Sequence, residues 1–394
     1  MAIKEHLVKY GFLWGPEHSP YPVSGFMTYP PNGAAVKRTI ESGYQRIFQS
    51  EGFDEIATPV FLPEKAWEAS GHLERFGNEM FHTKTSEGQS LLGRPELATT
   101  IYPMFKKLLE FYRGHLPFRI FQSGISLPND IQTEWQTRTR QYTAHEGHIF
   151  MESPAPVEQT ISYLEQLSYT LMETAGLRRD QLIFNEKSAK DKPFYAKQGY
   201  GLYAQDESGN PLEILGIQYR SSNDFEQHSK ASGIKLMHNG KYPEVFEISF
   251  STERPFLLAL TYALKKMGER TVLAIPDHLA PHPGLIFPVR HTPEQMTFAA
   301  NLYQSLHTIG IHLPLITHGN IGSCYAYADA IGVPYSLTVD STSPIDNAFT
   351  IRHRDTMHQV RISLADIQQT ITHVPYTASI SEILSKTYEY GKNK

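Results

Sequence analysis

A short segment, residues 274–283, separates two parts of this chain that have different residue patterns. The segment contains three prolines and two histidines in ten residues, a composition typical of a connection between domains. With 394 residues, the chain is too long for a single ordinary hydrophobic core. We therefore predict a first domain over 1–273, a linker over 274–283 and a second domain over 284–394.

The first part contains two long runs in which apolar and polar residues alternate. They are Phe118 to Ser126 and Arg138 to Phe150, and the polar stretch Asn129 to Thr137 joins them. Alternation with period two indicates strands, so this segment predicts a long β-hairpin. A helix is predicted at Ala34 to Glu51, where apolar residues recur at helical spacing, and another at Pro255 to Lys266. The first part is therefore predicted to be an antiparallel sheet with helices.

The second part alternates between strand and helix patterns. The predicted elements are strand Leu285 to Val289, helix Pro293 to Ile309, strand Leu313 to Thr317, helix Gly322 to Ile331, strand Tyr335 to Asp340, and strands Ala348 to His353 and His358 to Ile362. Such alternation is typical of a small α/β domain. The two parts together predict the α+β fold class.

The charge and cysteine content limit the functions that the chain can have. The 36 Lys and Arg residues against 41 Asp and Glu give a net charge of −5, which excludes a protein that coats nucleic acid by general phosphate attraction. One cysteine, Cys324, excludes an internal disulfide framework and a Cys-rich zinc site, so no zinc is expected. The start lacks a secretory signal and no run of about 18 apolar residues follows, so we expect no membrane association and a cytoplasmic location.

Several separated segments match the motifs of one known family. They are Gly52 to Pro59 with Ser70-Gly71-His72, Arg94-Pro95-Glu96, Leu116 to Gly124, Arg138 to Tyr142, Glu213 to Arg220 and Pro243 to Arg254. These segments resemble motifs 1, 2 and 3 of class II aminoacyl-tRNA synthetases, and most closely the homodimeric glycyl-tRNA synthetases of the archaeal and bacterial type. The resemblance implies glycine and ATP as substrates, Mg²⁺ bridging the phosphates, and a homodimer built on motif 1.

The last third of the chain carries a second resemblance. Asn320 to Gly322, Asp329 to Pro334 and Asp346 to Arg361 resemble the anticodon-binding domain that glycyl, threonyl, prolyl and histidyl enzymes share. This resemblance implies tRNA as a partner, although another acceptor fits the residues as well. The implied RNA contacts are Arg352, Arg354 and Arg361. The plainer interpretation of these arginines is a solvated sheet edge where they pair with acids such as Asp355.

The resemblance also assigns roles to residues of the first domain. The implied contacts to glycine are Glu96, Glu146, Ser249 and Arg94. The implied contacts to ATP are Arg138, Arg140, Arg220, Glu213, Glu247 and Arg254, of which Arg254 and Arg140 also carry the catalysis and Glu247 holds Mg²⁺. An ammonium group in a buried site needs carboxylates, because an unpaired cation out of water is very costly. Taken alone, each glutamate is an ordinary surface or salt-bridge residue.

Three positions depart from the family pattern. Motif 2 is expected to carry an arginine that holds the α-phosphate, but the chain has Leu127-Pro128-Asn129-Asp130, and proline offers neither charge nor donor. Ser251 stands where motif 3 has a glycine, and the segment Ser323 to Tyr327 lacks the family's basic residues. We predict weakened adenylate formation and weakened tRNA charging. Arg138 and Arg140, on the second strand of the hairpin, are the candidates that could replace the missing arginine and restore both. The alternative is a non-catalytic, dimeric paralogue that acts as a nucleic-acid-binding or accessory subunit.

Overall fold

The computed structural model of the chain describes residues 3–129, 132–135, 137–374 and 378–393. Asp130, the last residue of the altered motif 2 segment, lies outside the described residues. The helices are α1 (Ile3–Lys9), α2 (Pro31–Ser50), α3 (Glu64–Ala69), α4 (His72–Phe76), α5 (Phe105–Phe111), α6 (Val157–Thr174), α7 (Asn223–Ser232), α8 (Glu253–Ala263), α9 (Pro293–Thr308), α10 (Ile321–Ala330), α11 (Ser343–Asp346), α12 (Leu364–Thr372) and α13 (Ile380–Asn393). The strands are β1 (Asp54–Glu55), β2 (Phe61–Pro63), β3 (His82–Lys84), β4 (Ser90–Gly93), β5 (Phe118–Ser126), β6 (Tyr142–Met151), β7 (Ile183–Glu186), β8 (Gln198–Gln205), β9 (Pro211–Ser221), β10 (Glu244–Ser251), β11 (Leu264–Met267), β12 (Arg270–Leu273), β13 (Gly284–Pro288), β14 (Tyr335–Val339), β15 (Ala348–His353) and β16 (Gln359–Ser363).

The chain packs into two compact units. The central unit contains Trp14–Thr28 and Ile40–Leu258, and the C-terminal unit contains Met1–Leu13, Tyr29–Thr39 and Ala259–Lys394. The segment predicted as a linker, 274–283, belongs to the C-terminal unit, where Ile275 and Leu279 are buried. The division of the sequence into 1–273, 274–283 and 284–394 stays a prediction, because the two units group residues by packing alone.

The central unit is built on a seven-stranded sheet. Its strand order is β1-β5-β6-β10-β9-β8-β7, and neighbouring strands are antiparallel except for the parallel pair β1 and β5. Strands β5 and β6 pair from Phe118 opposite Phe150 to Ser126 opposite Tyr142. The predicted hairpin and the predicted antiparallel sheet are therefore both confirmed.

Helix α2 contributes to the core of this unit through its C-terminal half. The side chains of Ile40, Tyr44 and Phe48 are fully buried, as their helical spacing predicts. The ring of Phe48 stacks on Phe121 of β5 with 4.9 Å between ring centroids. Gly52, with a φ of +75°, ends the helix in the left-handed conformation that glycine adopts without strain.

The C-terminal unit contains a four-stranded sheet in the order β13-β14-β15-β16. The pair β13 and β14 is parallel, and the other two pairs are antiparallel. Capping side chains begin its helices, since Asn320 Oδ1 accepts the amide hydrogen of Ser323, and Ser363 and Asp366 cap α12 reciprocally. The α+β fold class and the predicted order of elements in this region are confirmed, apart from one strand.

Two predicted elements are wrong in part. The helix predicted to reach Lys266 ends at Ala263, because the chain turns into a hairpin of β11 and β12 around Gly268, which has a φ of +64°. The strand predicted at Leu313 to Thr317 is only an isolated bridge between Leu315 and Ile286. Pro314 has no amide hydrogen to donate to a ladder, which limits the pairing there.

No helix in the described part of the chain combines the length and the hydrophobicity that a membrane crossing requires.

Candidate functional site

A cavity of about 590 Å³ lies in the central unit against strands β6, β9 and β10. Ser249 of β10 lies opposite Glu146 of β6 on one side and opposite Gly216 of β9 on the other. Side chains alternate between the faces of a strand, so Glu247, two residues before Ser249, projects on the same face. All four residues line the cavity. The sheet therefore brings side chains that are about 100 residues apart in sequence into one wall.

Three carboxylates, Glu96, Glu146 and Glu247, meet in this wall, and we call them the acid cluster. Glu146 is 4% exposed, and its Oε1 accepts the amide hydrogen of Leu97 at 2.9 Å. Its other oxygen, Oε2, has no hydrogen-bond partner among the described residues. Burial, and then the neighbouring charges of Glu247 and Glu96, raise the pKa of Glu146 well above its usual range. An unpaired buried carboxylate oxygen of this kind favours a cationic ligand.

Arg220 contacts two members of the acid cluster, Glu96 and Glu247. Its fully buried guanidinium forms two hydrogen bonds to Asp224, at 2.9 and 2.8 Å, and one to Glu247 at 2.5 Å. A longer contact of 3.5 Å reaches Glu96, and the ring of Tyr195 covers the guanidinium at 3.8 Å. The pKa of Glu247 is nevertheless raised, because its burial and the charge of Glu96 outweigh the effect of Arg220.

The pKa of Glu96 shifts in the opposite direction from the pKa values of Glu146 and Glu247. Burial alone would raise its pKa, but His72, Arg220 and the hydrogen bond from Thr99 lower the pKa to about 2. His72 Nε2 lies 3.9 Å from Glu96 Oε1, so the Ser-Gly-His segment that follows motif 1 supports the cluster.

His148 is the member of this wall that sequence reasoning missed. It lies opposite Glu247 in the sheet register, and its Nε2 is 3.7 Å from Glu146 Oε2 and 3.9 Å from Glu247 Oε2. The side chain is 0% exposed, and burial together with Arg220 lowers its pKa to about 3, so the imidazole is neutral. The spacing of Glu146 and His148, two residues apart on a strand, was the signal available in the sequence.

Two arginines, Arg138 and Arg254, line another part of the cavity, and we call them the arginine pair. Arg254 Nε donates to the carbonyl of Thr137 at 3.0 Å, and its Nη1 donates to the carbonyl of Glu213 at 2.6 Å. These two bonds fix the guanidinium against the cavity wall. A planar cation fixed in this way can bind a phosphate through paired hydrogen bonds.

Comparison with known proteins connects this geometry to a family. Residues 285–373 match the family model described as an anticodon binding domain. A glycine–tRNA ligase of Methanothermobacter thermautotrophicus is 24% identical over 92% of this chain and 97% of its own length, and one of Borrelia garinii is 26% identical over 94% of both. The chain is a class II aminoacyl-tRNA synthetase-like ligase related to the glycine–tRNA ligases.

Solved structures agree on the fold of this synthetase-like chain. Prolyl-tRNA synthetase of Giardia lamblia, in complex with prolyl-adenylate, superposes with a TM-score of 0.76, covering 99% of this chain and 79% of that one at 18% identity. Prolyl-tRNA synthetase of Cryptosporidium parvum, with L-proline and AMP, gives a TM-score of 0.72 over 99% and 77% at 17% identity. At these identities the likeness concerns the fold alone.

The structure brings most of the predicted glycine and ATP contacts together around the cavity. Its lining includes the following predicted site residues: Glu96, Glu146, Ser249, Arg138, Glu213, Glu247 and Arg254. Pro128 and Ser251, the two altered motif positions, line it as well. Pro128 therefore lies on the cavity wall, where it offers no hydrogen-bond donor.

Three predicted contacts, Arg94, Arg140 and Arg220, are not among the described residues that line the cavity. Arg94, predicted to bind glycine, is 3% exposed and donates to the carbonyls of Ile125 and Thr58 at 2.8 and 3.0 Å. Arg140, predicted to bind ATP and to act in catalysis, donates to the carbonyl of Ser24 at 3.1 Å. Arg220, predicted to contact the triphosphate, is the buried partner of the acid cluster. The assignment of these three side chains to glycine and ATP stays a prediction.

The predicted RNA contacts of the C-terminal unit are engaged in ion pairs. Arg352 is 6% exposed and binds Asp329 at 3.2 Å, and Arg354 is 3% exposed and binds both oxygens of Asp355. Arg361 pairs with two acids, with Oδ2 of Asp340 at 2.8 Å and with Asp346 at 2.7 Å. The plainer interpretation is right about the pairing with acids, but Arg352 and Arg354 are buried, and Arg352 lies on the central strand β15 and not at a solvated sheet edge.

Proposed function

We propose that the protein activates a small amino acid, with glycine as the first candidate, by reaction with ATP. The amino acid carboxylate attacks the α-phosphorus, an aminoacyl-adenylate forms, and pyrophosphate leaves. The observation that carries this proposal is the composition of one cavity wall. The acid cluster suits the amino group, and the arginine pair suits the phosphates. The names of the relatives, glycine–tRNA ligases, support glycine among small amino acids.

Within this proposal the residues act by positioning and by charge. Glu146 and Glu247 receive the amino group, and Ser249, two residues after Glu247 on β10, lies between Glu146 and Gly216 on the cavity wall. Arg254 and Arg138 face the triphosphate and stabilise negative charge that develops as the α-phosphate is attacked. A displacement of this kind needs little acid or base catalysis by side chains, because both reactants are held in place.

Magnesium is expected with ATP, and the carboxylates of the cavity fit such an ion. Glu213 and Glu253 line the cavity beside Arg254, and Mg²⁺ prefers oxygen ligands. When bound there, Mg²⁺ would neutralise part of the negative charge of the phosphates. Glu247, which the sequence assigned to Mg²⁺, accepts a hydrogen bond from Arg220 and belongs to the acid cluster. Glu213 and Glu253 are therefore the better candidates.

The acceptor and the assembly are further parts of the proposal. The family match of residues 285–373 and the names of the relatives support tRNA as the acceptor. The arginines of that region form ion pairs with acids, and this pairing supports an acceptor other than tRNA. The motif 1 segment, Ala34 to Pro59, is proposed to form a homodimer as in the family that it resembles. The non-catalytic alternative draws its support from Pro128 and Ser251, the two altered motif positions that line the cavity, and the comparisons do not favour it.

Exchange of labelled pyrophosphate into ATP tests the activation step directly. We would measure it with each amino acid in turn and with Mg²⁺ present, and compare the protein with the Arg254→Ala variant. Glycine should support the fastest exchange, and the variant should lose most of it. Absence of exchange with every amino acid would leave the non-catalytic alternative, and faster exchange with a large amino acid would remove the preference for glycine.

A further inference from the structure

A recess in the cavity wall lies over Gly216 of β9, the residue opposite Ser249 of β10. A Cβ atom added to this glycine would lie 2.9 Å from Gln218 Nε2, 3.3 Å from Glu213 Oε1 and 3.7 Å from Ser249 Oγ. Gly216, Glu213 and Ser249 line the cavity. Three polar side chains therefore converge on one point of the wall, and Gln218 comes closest to that point.

Gln218 projects on the same face of the sheet as the acid cluster. It lies opposite Glu247 of β10 and opposite Gly199 of β8 in the sheet register. It also stands two residues after Gly216 on β9, and residues two apart on a strand share a face. Gln218 is 3% exposed. Its side chain is therefore packed inside the protein beside the place where the proposed substrate binds.

The amide group of Gln218 is enclosed on the side away from the recess. A Cβ atom added to Gly199 would lie 3.0 Å from Gln218 Oε1, 3.1 Å from Lys192 Cβ and 3.6 Å from Lys187 Cδ. The backbone of β8 and two lysine side chains thus fill the space behind the amide. Its Oε1 is buried and accepts no hydrogen bond from the described residues, so packing holds the amide in place.

We propose that Gln218 restricts the substrate to glycine, because its amide fills the space that the side chain of a larger amino acid needs. The inference rests on the proposed function, in which Glu146 and Glu247 receive the amino group. The α-carbon lies about 1.5 Å from that nitrogen and so reaches the wall at Ser249, beside the recess over Gly216.

The size of a methyl group decides whether alanine fits in the recess. A methyl carbon packs about 3.5–4.0 Å from neighbouring heavy atoms. Nε2 of Gln218 already lies within 3 Å of the Cβ position over Gly216, and the amide has no room to move toward β8. Glycine, which adds only hydrogen at the α-carbon, avoids this contact. A protein interior resists rearrangement because it is close-packed, so the exclusion acts on every amino acid with a β-carbon.

Pyrophosphate exchange and calorimetric binding with glycine, alanine and serine test this assignment in the full-length protein. The unmodified protein should favour glycine over alanine by at least about tenfold, since one methylene group in a pocket changes discrimination by about 10–200-fold. Gln218→Ala should raise the ratio of the alanine kcat/KM to the glycine kcat/KM by at least about tenfold, because it empties the recess. Gln218→Met, which keeps the size of the side chain without the amide, should retain the preference for glycine.

Gln198→Ala is the matched control. Gln198 lies on β8, and its Oε1 is also buried without a partner among the described residues. It pairs with Tyr219 in the register, so its side chain projects on the face of the sheet away from Gln218. This variant should show the same ratio of alanine to glycine as the unmodified protein.

Gln218→Asn, shorter by one methylene group, repeats the test if Gln218→Ala fails to fold, as judged by circular dichroism. An unchanged ratio in the folded variant, or an equal rise in Gln218→Met, would overturn the assignment. Preference of the unmodified protein for serine, lost in Gln218→Met, would overturn it as well, because the amide would then recognise a hydroxyl group.

The binding measurement separates this inference from the proposed activation step. If the unmodified protein exchanges pyrophosphate with no amino acid, the activation step is removed, and the calorimetric affinities for glycine and alanine decide the role of Gln218 by the same ratios. If glycine supports exchange but the Gln218 variants discriminate as the unmodified protein does, only the role of Gln218 is removed. Absence of both exchange and amino acid binding would remove both.

Discussion

At the scale of single residues, the cavity combines retained and lost contacts. Glu146, Glu247 and Arg254 occupy the wall where an amino acid and ATP would be held, and Pro128 occupies the same wall without a donor. The rate of activation depends on how far the retained residues compensate for the donor that Pro128 lacks. A missing donor at a developing negative charge typically costs a factor of about 10²–10³ in rate.

Replacement of Pro128 by arginine should therefore increase adenylate formation. We expect Pro128→Arg to raise the rate of glycine-dependent pyrophosphate exchange by at least about tenfold, because a new guanidinium can reach the α-phosphate. Pro128→Ala, which relieves the backbone restriction but adds no donor, should leave the rate nearly unchanged. Equal gains in both variants would mean that backbone freedom, and not the missing cation, limits the reaction.

Glu146→Gln tests how the amino group is held. The substitution keeps the shape of the side chain but removes its negative charge, so glycine binding should weaken by roughly 1.5–3 kcal/mol, the range for a hydrogen bond to a charged group. Calorimetric titration with glycine measures this change. Glu158→Gln, on the exposed face of α6, serves as the control and should bind glycine like the unmodified protein. An unchanged affinity in Glu146→Gln would place the amino group elsewhere.

The sequence predicted the acid cluster only in part. Glu96 and Ser249 were recognised because they stand inside family motifs, and Glu146 because the resemblance assigns it to glycine. The resemblance assigns no role to His148, which was therefore missed. Arg220 was assigned to the triphosphate because it ends a motif strand, but its guanidinium faces Asp224 and Glu247. The direction in which a buried arginine points depends on partners distant in sequence, such as Glu247, and a one-dimensional pattern does not contain that information.

At the scale of elements, strands with strong alternation of apolar and polar residues were predicted correctly, and strands with weak alternation were not. The hairpin of β5 and β6 was predicted because apolar residues alternate over its length. Strand β8, Gln198–Gln205, was missed because its glycines and polar residues resemble a loop. Helix α8 was predicted too long because Leu264 to Met267 fits a helix as well as a strand, and only pairing with β12 decides between them.

The paired arginines of the C-terminal sheet are expected to stabilise the fold. Arg352 and its partner Asp329 are both buried, and Asp329 also binds Arg270 at 2.8 Å. Arg352→Ala should lower the free energy of unfolding by about 1–3 kcal/mol, less than for an isolated buried pair because Arg270 remains. Urea denaturation measures this loss. The exposed Arg290→Ala should change stability by no more than about 0.5 kcal/mol.

The ion pair between Asp340 and Arg361 makes the stability of the C-terminal unit dependent on pH. Burial would raise the pKa of Asp340, but hydrogen bonds from Thr342 and Arg361 lower it from 3.8 to about 2. A carboxylate with a lowered pKa in the folded state contributes stability that is present above pH 4 and is lost as the pH falls toward 2. Asp340→Asn should therefore be less stable than the unmodified protein at pH 7, and the difference should shrink between about pH 4 and 2. A difference that stays constant over this range would exclude ionisation of Asp340 as its cause.

At the scale of the whole molecule, aminoacylation requires both activation in the central unit and recognition of the acceptor. The family match to an anticodon binding domain provides a fold for the second task. Few positive charges in this domain are available to bind tRNA. Arg352, Arg354 and Arg361 are paired with acids, and the segment Ser323 to Tyr327 of α10 carries no basic residue. Affinity for RNA depends mainly on cations that are available to phosphates.

We therefore expect tRNA charging with glycine to be slow, well below about one per second, a rate typical of enzymes. The reason is twofold, because Pro128 weakens activation and the C-terminal unit weakens acceptor binding.

Initial rates of aminoacylation with the protein and with Pro128→Arg separate the two causes. Pro128→Arg should accelerate pyrophosphate exchange while tRNA charging stays slow, and Arg352→Ala should leave tRNA affinity unchanged at temperatures where it is folded. Fast charging by the unmodified protein would mean that Arg138 or another cation replaces the missing motif 2 arginine. It would also mean that the acceptor binds through residues other than the paired arginines.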